Sequence, residues 1–566
     1  MIVRSLLQYG LFIVIVVALV KPVGTYLHRV FEGQHTWLDP VVGRFERALY
    51  RAAGVQPAHE MSAREYALSL VCFTFVNALL LYAILRLQSF LPAGPDQRFL
   101  TTPMRPDLAL NTAISFSTAT SWQAYAGETT LKYAAQVLGL VTQNIVAGAS
   151  GLAVGIAFIR GFARRESATI GNFWVDLTRA VLRVLLPIAL AGSLLLVWQG
   201  VPMNFSPYVH AVTLERHTQT IAQGPVAALV FVENLGTNGG GFFGVNGAHP
   251  YQNPNGFTNL LEMLAIVVIP AALTHTFGRM VRQRRAGWVL FAVMLSLFVV
   301  GLLICDLAER GGNPALRSMG VSGGNMEGKE VRFGIGGSVL TAVVTSNGAT
   351  GAYNSMHDSY TPIGVLVPLS NMALGEIVFG GLGTGLFSLV IIALVGLFLA
   401  GLMVGRIPEY LGKKIGPGEI KLAMIFTLAF PLVILLLTAL AVRAPAGLEG
   451  LTTNSGAHGF TEILFAFTSA AANNGQSMAG LKSNAPFYNV TTAWAMIVGR
   501  FFLMIPALAL AGRFAAQRRR PPSAGTVPAD GLTFAALTIG AAILIGALCF
   551  LPFLTLGPIL EYLSLR

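Results

Sequence analysis

Long apolar stretches alternate with short polar segments along almost the whole chain. Ten stretches of about 19 to 28 mostly apolar residues are centred near Val14, Leu79, Gly148, Leu186, Ile266, Met294, Ala393, Val433, Leu503 and Ala542. A helix of about 20 residues crosses the hydrocarbon core of a bilayer, which is about 30 Å thick. The pattern therefore predicts an all-α polytopic membrane protein with about ten transmembrane helices.

Four shorter segments, such as 107–116 and 225–234, lie between pairs of these stretches and are only about three helical turns long. Each is followed by a run of small and amide residues, at 117–123, 236–241, 346–354 and 472–477. Irregular backbone at membrane depth is tolerated only where it is buried in protein or lines a water-filled cavity. The sequence thus predicts four re-entrant pore loops, each after a half-crossing helix.

The recurring order of helix, short helix, loop and helix predicts four repeats around one pseudo-fourfold axis, between two flanking helices. The predicted units are an N-terminal transmembrane helix at 1–24, repeats with filter loops at 66–160, 176–280, 286–405 and 419–514, and a C-terminal transmembrane helix at 530–556. The third repeat is expected to contain a broken inner helix.

The charged residues are few and unevenly placed. They make up 11% of the chain, against about 25% in a soluble domain. Of the 37 basic residues, 23 fall in the stretches 21–64, 160–183, 279–285, 406–421 and 513–520, which follow predicted spans one, three, five, seven and nine. By the positive-inside rule these stretches are cytoplasmic, so both termini and the four loops are expected on the outer side. This alternation, despite a net charge of +12, argues against a nucleic-acid surface.

The first apolar stretch has a second possible interpretation, as a signal peptide. Lys21 and Pro22 follow it, where a cleaved signal peptide would have small residues. We therefore expect an uncleaved first helix.

The loops carry the chemistry of an ion filter. A cation that leaves water needs replacement oxygen ligands, because its transfer into a low-dielectric medium costs about 20 kcal/mol. Backbone carbonyls can supply them, and glycine permits the positive φ angles that turn successive carbonyls the same way. The candidate filter residues are Thr118, Ala119, Thr120, Ser121, Gln123, Asn238, Gly239, Gly240, Gly241, Thr350, Gly351, Ala352, Asn354, Asn473, Asn474 and Gly475. Uncharged oxygens favour a monovalent ion, and the spacing leaves potassium and sodium both open.

Two features below the loops suggest gating or coupling. A glycine run at 380–385, which includes Gly381 and Gly383, interrupts the inner apolar stretch of the third repeat. It predicts either a hinged inner helix or a plain loop between a surface helix and a spanning one. Arg500 lies in the middle of the ninth span, where an arginine costs at least about 2.5–3.5 kcal/mol. It either blocks straight passage of the cation or forms a structural pair.

Familiar catalytic and metal motifs are missing from the sequence. Cys72, Cys305 and Cys549 show no metal-ligand spacing, and the chain has no HExxH, GxSxG, phosphate-loop or Asp-Lys-Thr-Gly sequence. His249 and the pair His357–Asp358 follow the second and third loops. They could form a metal site or catalytic dyad, or could cap hydrogen bonds in a vestibule. The chain is not expected to hydrolyse ATP.

Several strings resemble the KdpA family, the potassium-binding subunits of the bacterial potassium-transporting P-type ATPase within the superfamily of potassium transporters. They lie at 233–243, 248–250, 354–359, 473–475 and 499–500. The first and fourth loops depart from the family pattern, with Ala119 and Ser121 at usual asparagine positions and Gln476 after Gly475.

The resemblance implies a multi-pass protein of the bacterial inner membrane whose only ligand is potassium, as substrate. It implies that potassium enters the filter from the outer side and passes sideways to a KdpB-like ATPase subunit. KdpC-like and KdpF-like subunits are further expected partners. The alternatives are a free-standing potassium channel or symporter of the same architecture, and a membrane enzyme that uses His249, His357 and Asp358.

Overall fold

The described part of the chain is almost entirely helical. The computed structural model describes residues 2–91, 104–403, 405, 408–521 and 527–565. Met1, the first residue of the predicted unit 1–24, and Arg406, the first residue of the basic stretch 406–421, lie outside the described residues. Ten helices in these residues are long and apolar enough to cross a membrane, at Val3–Phe31, Ala63–Phe90, Ala135–Ala163, Phe173–Trp198, Gly256–Met280, Arg284–Ser318, Thr384–Met403, Pro417–Arg443, Pro486–Ala516 and Leu532–Ser564. Each contains one predicted centre, which confirms the predicted fold class.

The regular elements follow one another with short connections. The α-helices are α1 (Ile2–Phe31), α2 (Asp39–Ala52), α3 (Ala63–Leu87), α4 (Pro106–Ser117), α5 (Gly127–Thr130), α6 (Thr142–Ala163), α7 (Phe173–Arg179), α8 (Leu186–Trp198), α9 (Val226–Leu235), α10 (Gly256–Met280), α11 (Arg284–Gly311), α12 (Pro314–Ser318), α13 (Gly334–Asn347), α14 (Pro362–Ala373), α15 (Thr384–Met403), α16 (Pro417–Arg443), α17 (Pro445–Leu448), α18 (Gly456–Ala472), α19 (Pro486–Ala516), α20 (Leu532–Leu554) and α21 (Leu560–Ser564). Two antiparallel hairpins pair β1 (Val209–Val212) with β2 (Thr218–Ile221) and β3 (Glu409–Tyr410) with β4 (Lys413–Lys414).

Four short helices, α4, α9, α13 and α18, lie inside the bundle. Each packs against two helices of its own segment: α4 on α3 and α6, α9 on α8 and α10, α13 on α11 and α14, and α18 on α16 and α19. A helix surrounded by others is apolar on all sides, and most residues of the four are buried. The C-terminal end of each short helix is accordingly buried.

A ten-residue break separates α14 from α15 in the third predicted repeat. α14 ends at Ala373 and α15 begins at Thr384, so residues 374–383 form a break. The break starts before the glycine run because Gly375, Glu376 and Phe379 already have φ angles of 75°, 53° and 52°. Left-handed backbone cannot continue a right-handed helix.

The basic loops that follow spans one, three, five, seven and nine meet at one end of the bundle. Lys413 Nζ donates to the carbonyl oxygens of Gly161 at 3.2 Å and Arg164 at 2.6 Å, and also to that of Phe514. Arg164 pairs with Glu60 at 2.6 Å, and Arg519 donates to carbonyls of both Phe162 and Val281. We call this the basic end.

Candidate functional site

The four loops leave their short helices with the same backbone geometry. Just after each helix end, one residue has a left-handed φ angle, and we count it as the first loop residue; these residues are Ala119, Thr237, Ala349 and Asn473 with φ of 59°, 51°, 52° and 56°. Two positions later φ is positive again in three of the loops, at Ser121 (50°), Gly239 (90°) and Gly475 (90°), but not at Gly351 of the third loop. Left-handed backbone is rare for a β-branched residue such as Thr237, and such strain clusters at functional sites.

Each short helix is also closed by the same hydrogen bond. The backbone N–H of the second loop residue donates to the carbonyl five residues earlier, in the pairs Thr120–Ser115 (2.9 Å), Asn238–Glu233 (3.0 Å), Thr350–Thr345 (3.1 Å) and Asn474–Ser469 (3.0 Å). This bond reverses the chain at the helix end. The four loops therefore share one local turn geometry, although their sequences have few residues in common.

The loops touch one another in a closed ring, because three glycines leave no space for a side chain. A Cβ built on Gly239 would lie 2.2 Å from the backbone nitrogen of Gly351, and one on Gly351 would lie 2.7 Å from the carbonyl carbon of Gly475. One built on Gly475 would lie 2.1 Å from the carbonyl oxygen of Thr120. Real Cβ atoms do not approach other heavy atoms so closely, so the backbones are in direct contact.

Hydrogen bonds cross all four seams of this ring. Their donors and acceptors are Gln123 Nε2 and the Gly241 carbonyl (3.0 Å), the Gly351 N–H and the Asn238 carbonyl (3.2 Å), Asn474 Nδ2 and the Thr345 carbonyl (3.1 Å), and Asn473 Nδ2 and Thr120 Oγ1 (2.9 Å). On α6, Asn144 supports two loops at once: its carbonyl accepts from Asn238 at 2.6 Å and its side-chain oxygen from Ser121 at 3.2 Å. The ring is thus fixed by bonds between and behind the loops.

A small cavity of about 20 Å³ lies where the loops leave their helices. This volume is enough for an ordered water. It is lined by the first residue of every loop, by Gly381 and Leu382 of the break, and by Arg500. The structure therefore brings the predicted gating residues Arg500 and Gly381 together with the loops.

Arg500 reaches this cavity from the middle of α19. Its Nη2 donates to the Ala147 carbonyl at 3.1 Å and to Ser150 Oγ at 2.9 Å, both on α6. Its Nε is buried without a partner. Among the residues that the structure describes, no carboxylate forms an ion pair with Arg500, so its charge is not neutralised locally.

The break in the third repeat is bonded directly to two loops. The N–H of Gly381 donates to the Gly348 carbonyl at 3.3 Å, and the N–H of Leu382 donates to Thr237 Oγ1 at 3.1 Å. Gly383 lies further from the loops, against α6, where a built Cβ would be 2.5 Å from the Gly151 carbonyl oxygen. The buried Glu376 accepts from Asn474 Nδ2 at 2.8 Å. The break and the ring are one hydrogen-bonded unit.

Some predicted filter residues lie outside the contact ring. Asn354 donates through Nδ2 to Asn259 Oδ1 at 2.9 Å and to Thr341 Oγ1 at 3.1 Å, away from the other loops. With Ala352 it lines a second cavity, of about 10 Å³. Thr118 Oγ1 bonds to Thr120 Oγ1 at 2.9 Å. Gly240, in contrast, lies against the first loop, since a Cβ built on it would be 3.4 Å from the Ser121 carbonyl oxygen.

The two histidines near the loops are held by neighbouring groups, and His357 is fully buried whereas His249 is partly buried. The His249 ring stacks on Phe243 with centroids 3.6 Å apart, and burial lowers its pKa to about 4. His357 contacts the Ser477 carbonyl at 3.3 Å and Gln476 Nε2 at 3.1 Å, and burial lowers its pKa to about 4 as well. One nitrogen must donate and the other must accept in these two contacts, which requires the neutral ring.

Sequence reasoning missed several residues that the structure places at the ring. Thr237 and Ala349 are the second- and third-loop equivalents of Ala119 and Asn473, which were identified. Aligning the loops by distance from their helix ends would have found both. Asn144 and Glu376 carried no such signal, because the loop residues Asn238 and Asn474 that they hold lie 94 and 98 residues away in the chain.

Comparison with known proteins identifies the family. The sequence profile of the KdpA family, described as potassium-transporting ATPase A subunit, matches residues 10–563. The chain belongs to the KdpA family. Its KdpA relatives in Methylobacterium nodulans, Granulibacter bethesdensis and Rhodopseudomonas palustris are each named potassium-transporting ATPase potassium-binding subunit. They are 53%, 52% and 50% identical to it, over 98%, 98% and 99% of this chain and 97%, 97% and 98% of theirs.

A solved structure shares the fold of this KdpA chain. The potassium transporter TrkH from Vibrio parahaemolyticus matches with a TM-score of 0.54, over 89% of this chain and 98% of that one. At 14% identity the likeness shows the fold alone.

Proposed function

We propose that this KdpA-family chain binds potassium in the ring of four loops and passes it to a P-type ATPase subunit for ATP-driven uptake. The observation that carries the proposal is the closed ring of four equivalent loops above a cavity that contains Arg500. The names of the relatives specify potassium, which spacing alone left open against sodium.

The chemistry of the ring supports a monovalent cation. The residues in its seams are Thr, Ser, Asn, Gln and Gly, which offer uncharged oxygens. In the first, second and fourth loops, positive φ angles at alternate positions orient successive carbonyls toward the same side. The short helices also direct their C-terminal ends, each equivalent to about half a negative charge, at the ring. Together these groups replace a hydration shell without the strong charge that would favour a divalent ion.

Arg500 and the break supply the proposed exit control. A cation that leaves the ring enters the cavity beside an unneutralised guanidinium, and like charges repel strongly at low dielectric. Straight passage is therefore unfavourable, and the ion leaves sideways toward the partner subunit. The break, which is bonded to the Gly348 carbonyl and to Thr237, is positioned to respond when the loops change occupancy.

The proposed orientation puts the basic end in the cytoplasm and the four loops on the outer side of the inner membrane. Five loops with most of the basic residues meet at that end, as the positive-inside rule requires. KdpC-like and KdpF-like subunits complete the proposed complex. Potassium is the only ligand that we propose for the ring.

Co-purification tests the function. A tagged chain, solubilised from native membranes, should bring with it a P-type ATPase whose turnover is stimulated by potassium more than by sodium. The purified chain alone should show no potassium flux in liposomes. Passive flux without a partner would instead support a free-standing channel or symporter.

A further inference from the structure

A cluster of ionisable side chains lies beyond the ring, between the third and fourth loops. His458 and Glu462 are one turn apart on α18, and Asp358 follows the third loop. One ligand atom from each of these residues lies within 4.8 Å of the other two. Asp358 was considered with His357 as a metal site from the sequence. The structure instead brings it to two residues about a hundred positions away.

A fourth residue orients the histidine. Glu561 Oε1, in α21, lies 2.9 Å from His458 Nδ1, and Asp358 Oδ1 lies 2.9 Å from His458 Nε2. A carboxylate that accepts the Nδ1–H of a histidine leaves Nε2 as the ligand nitrogen and fixes the ring, as at many metal sites. Ligand atoms bound at right angles at about 2.1 Å from one ion would be about 3 Å apart.

The cluster has an excess of acceptors. Three carboxylates surround one imidazole, and no Lys or Arg forms an ion pair with them in the described ranges of the chain. Glu462 is only 1% exposed. Asn454 Nδ2 donates to its Oε1 at 2.5 Å, but its Oε2 has no hydrogen-bond partner. A buried carboxylate oxygen without a donor is costly, and a bound cation would satisfy it.

We propose that His458, Asp358 and Glu462 bind one divalent transition-metal ion, with Glu561 as a positioning residue. One imidazole nitrogen with carboxylate oxygens suits Zn²⁺ or Mn²⁺ better than the harder Mg²⁺ or Ca²⁺. The ion would join the segment after the third loop to the helix before the fourth. It would thus stiffen the outer side of the ring without entering it.

Metal retention by the detergent-purified full chain, with any co-purifying subunits, tests this site. The protein is stripped with EDTA, dialysed against Zn²⁺ and analysed for bound metal. We expect about one Zn²⁺ per chain. His458→Gln should lower the affinity at least tenfold, and Glu561→Gln by about 10- to 100-fold. His210→Gln, in the exposed β1 strand, is the matched control and should retain the ion.

A second measurement covers variants that fail to fold. Co²⁺ added to the unsubstituted stripped protein should give visible absorption bands that Zn²⁺ removes. If the unsubstituted protein gives no such bands, or holds no more Zn²⁺ than folded His458→Gln, the cluster is an ion-pair network and the proposal is wrong. Neither measurement involves transport, so failure here would leave the proposed potassium function untouched.

Discussion

At the seams of the ring, the decisive property of Gly239, Gly351 and Gly475 is the absence of a Cβ. Their backbones lie against the backbone of the next loop, with built Cβ distances of 2.1 to 2.7 Å to its atoms. Backbone cannot move aside as a flexible side chain can. Carbonyl ligands tolerate many side-chain changes, such as Ala119 and Ser121 in the first loop, whereas the glycines at the seams do not.

Gly239→Ala should therefore weaken potassium binding. Forcing a methyl group into a packed contact costs about 1–3 kcal/mol, so we expect the potassium concentration for half-maximal ATPase stimulation to rise about tenfold or more. Gly54→Ala is the matched control, since Gly54 has a φ of +65° but nothing within 4 Å of a built Cβ. Equal behaviour of the two variants would remove Gly239 from the ion site.

Arg500→Met should loosen the dependence of ATP turnover on potassium. Without the guanidinium, nothing positive faces the cavity that Arg500 lines, so an ion is no longer held above it. The ratio of turnover with and without potassium is expected to fall severalfold, and Arg500→Lys should keep part of it. An unchanged ratio in Arg500→Met would make the arginine merely structural.

Acidification should destabilise the protein partly through His357. The unfolded chain takes up a proton on this ring near pH 6.5, whereas burial delays uptake in the folded state to about pH 4. Stability is therefore lost as the pH falls from about 6.5 to 4, by an amount on the order of 3 kcal/mol. Apparent melting temperatures measured between pH 7 and 4.5 should fall less steeply for His357→Gln than for the unsubstituted protein.

At the scale of elements, the break at 374–383 contacts two different parts of the molecule, the loops and α6. Its residues 381–382 bond to the loops, while Gly383 packs against α6, where a built Cβ would be 2.5 Å from the Gly151 carbonyl oxygen. Any movement of the break must slide along this glycine contact. A hinged segment and a static connection therefore differ in how they respond to added bulk there.

Gly383→Ala should lower turnover severalfold while leaving potassium–sodium discrimination close to normal, because it obstructs the break and not the ring. Gly375→Ala is the control in the same segment, with φ of +75° and nothing within 4 Å of a built Cβ. Potassium-stimulated ATPase activity measures both. If Gly383→Ala behaves like Gly375→Ala, the break is a plain loop.

The elements could be predicted from sequence because hydropathy and helix length are local properties. All ten apolar spans contain the centres predicted for them. The glycine run overlaps the break at 374–383, and a hinged helix and a plain loop both remain open there. A ring of four loops could be predicted from the sequence, but several of the residues that form and support it could not. Thr237 and Ala349 have left-handed φ angles that their residue types do not indicate. The roles of Asn144, Glu376 and His458 depend on contacts with segments that are distant in the sequence.

At the scale of the whole molecule, Lys413 links two long helices at the basic end. Lys413 donates to carbonyls at the C-terminal ends of α6 and α19. Cations are favourable at helix C-termini, and these two helices carry Asn144 and Arg500 at the ring. The spacing of α6 and α19 at the basic end therefore affects the positions of Asn144 and Arg500 at the ring.

Lys413→Met should lower the stability of the folded protein by about 2 kcal/mol, because it leaves buried carbonyls without their charged donor. Lys414→Met is the matched control, because Lys414 is the next residue in the chain and its side chain is exposed. The apparent melting temperature in detergent measures the difference. An equal melting temperature for the two variants would show that the carbonyls find other donors.

The bonds from residues 381 and 382 to two different loops have a thermodynamic consequence. Suppose that displacing the break makes the ring hold its ion tenfold less tightly. Then a filled ring must oppose that displacement by the same factor, since linkage is symmetric. A partner that binds next to the break would therefore respond to ion occupancy of the ring. The two hydrogen bonds donated by the N–H groups of residues 381 and 382 would couple them.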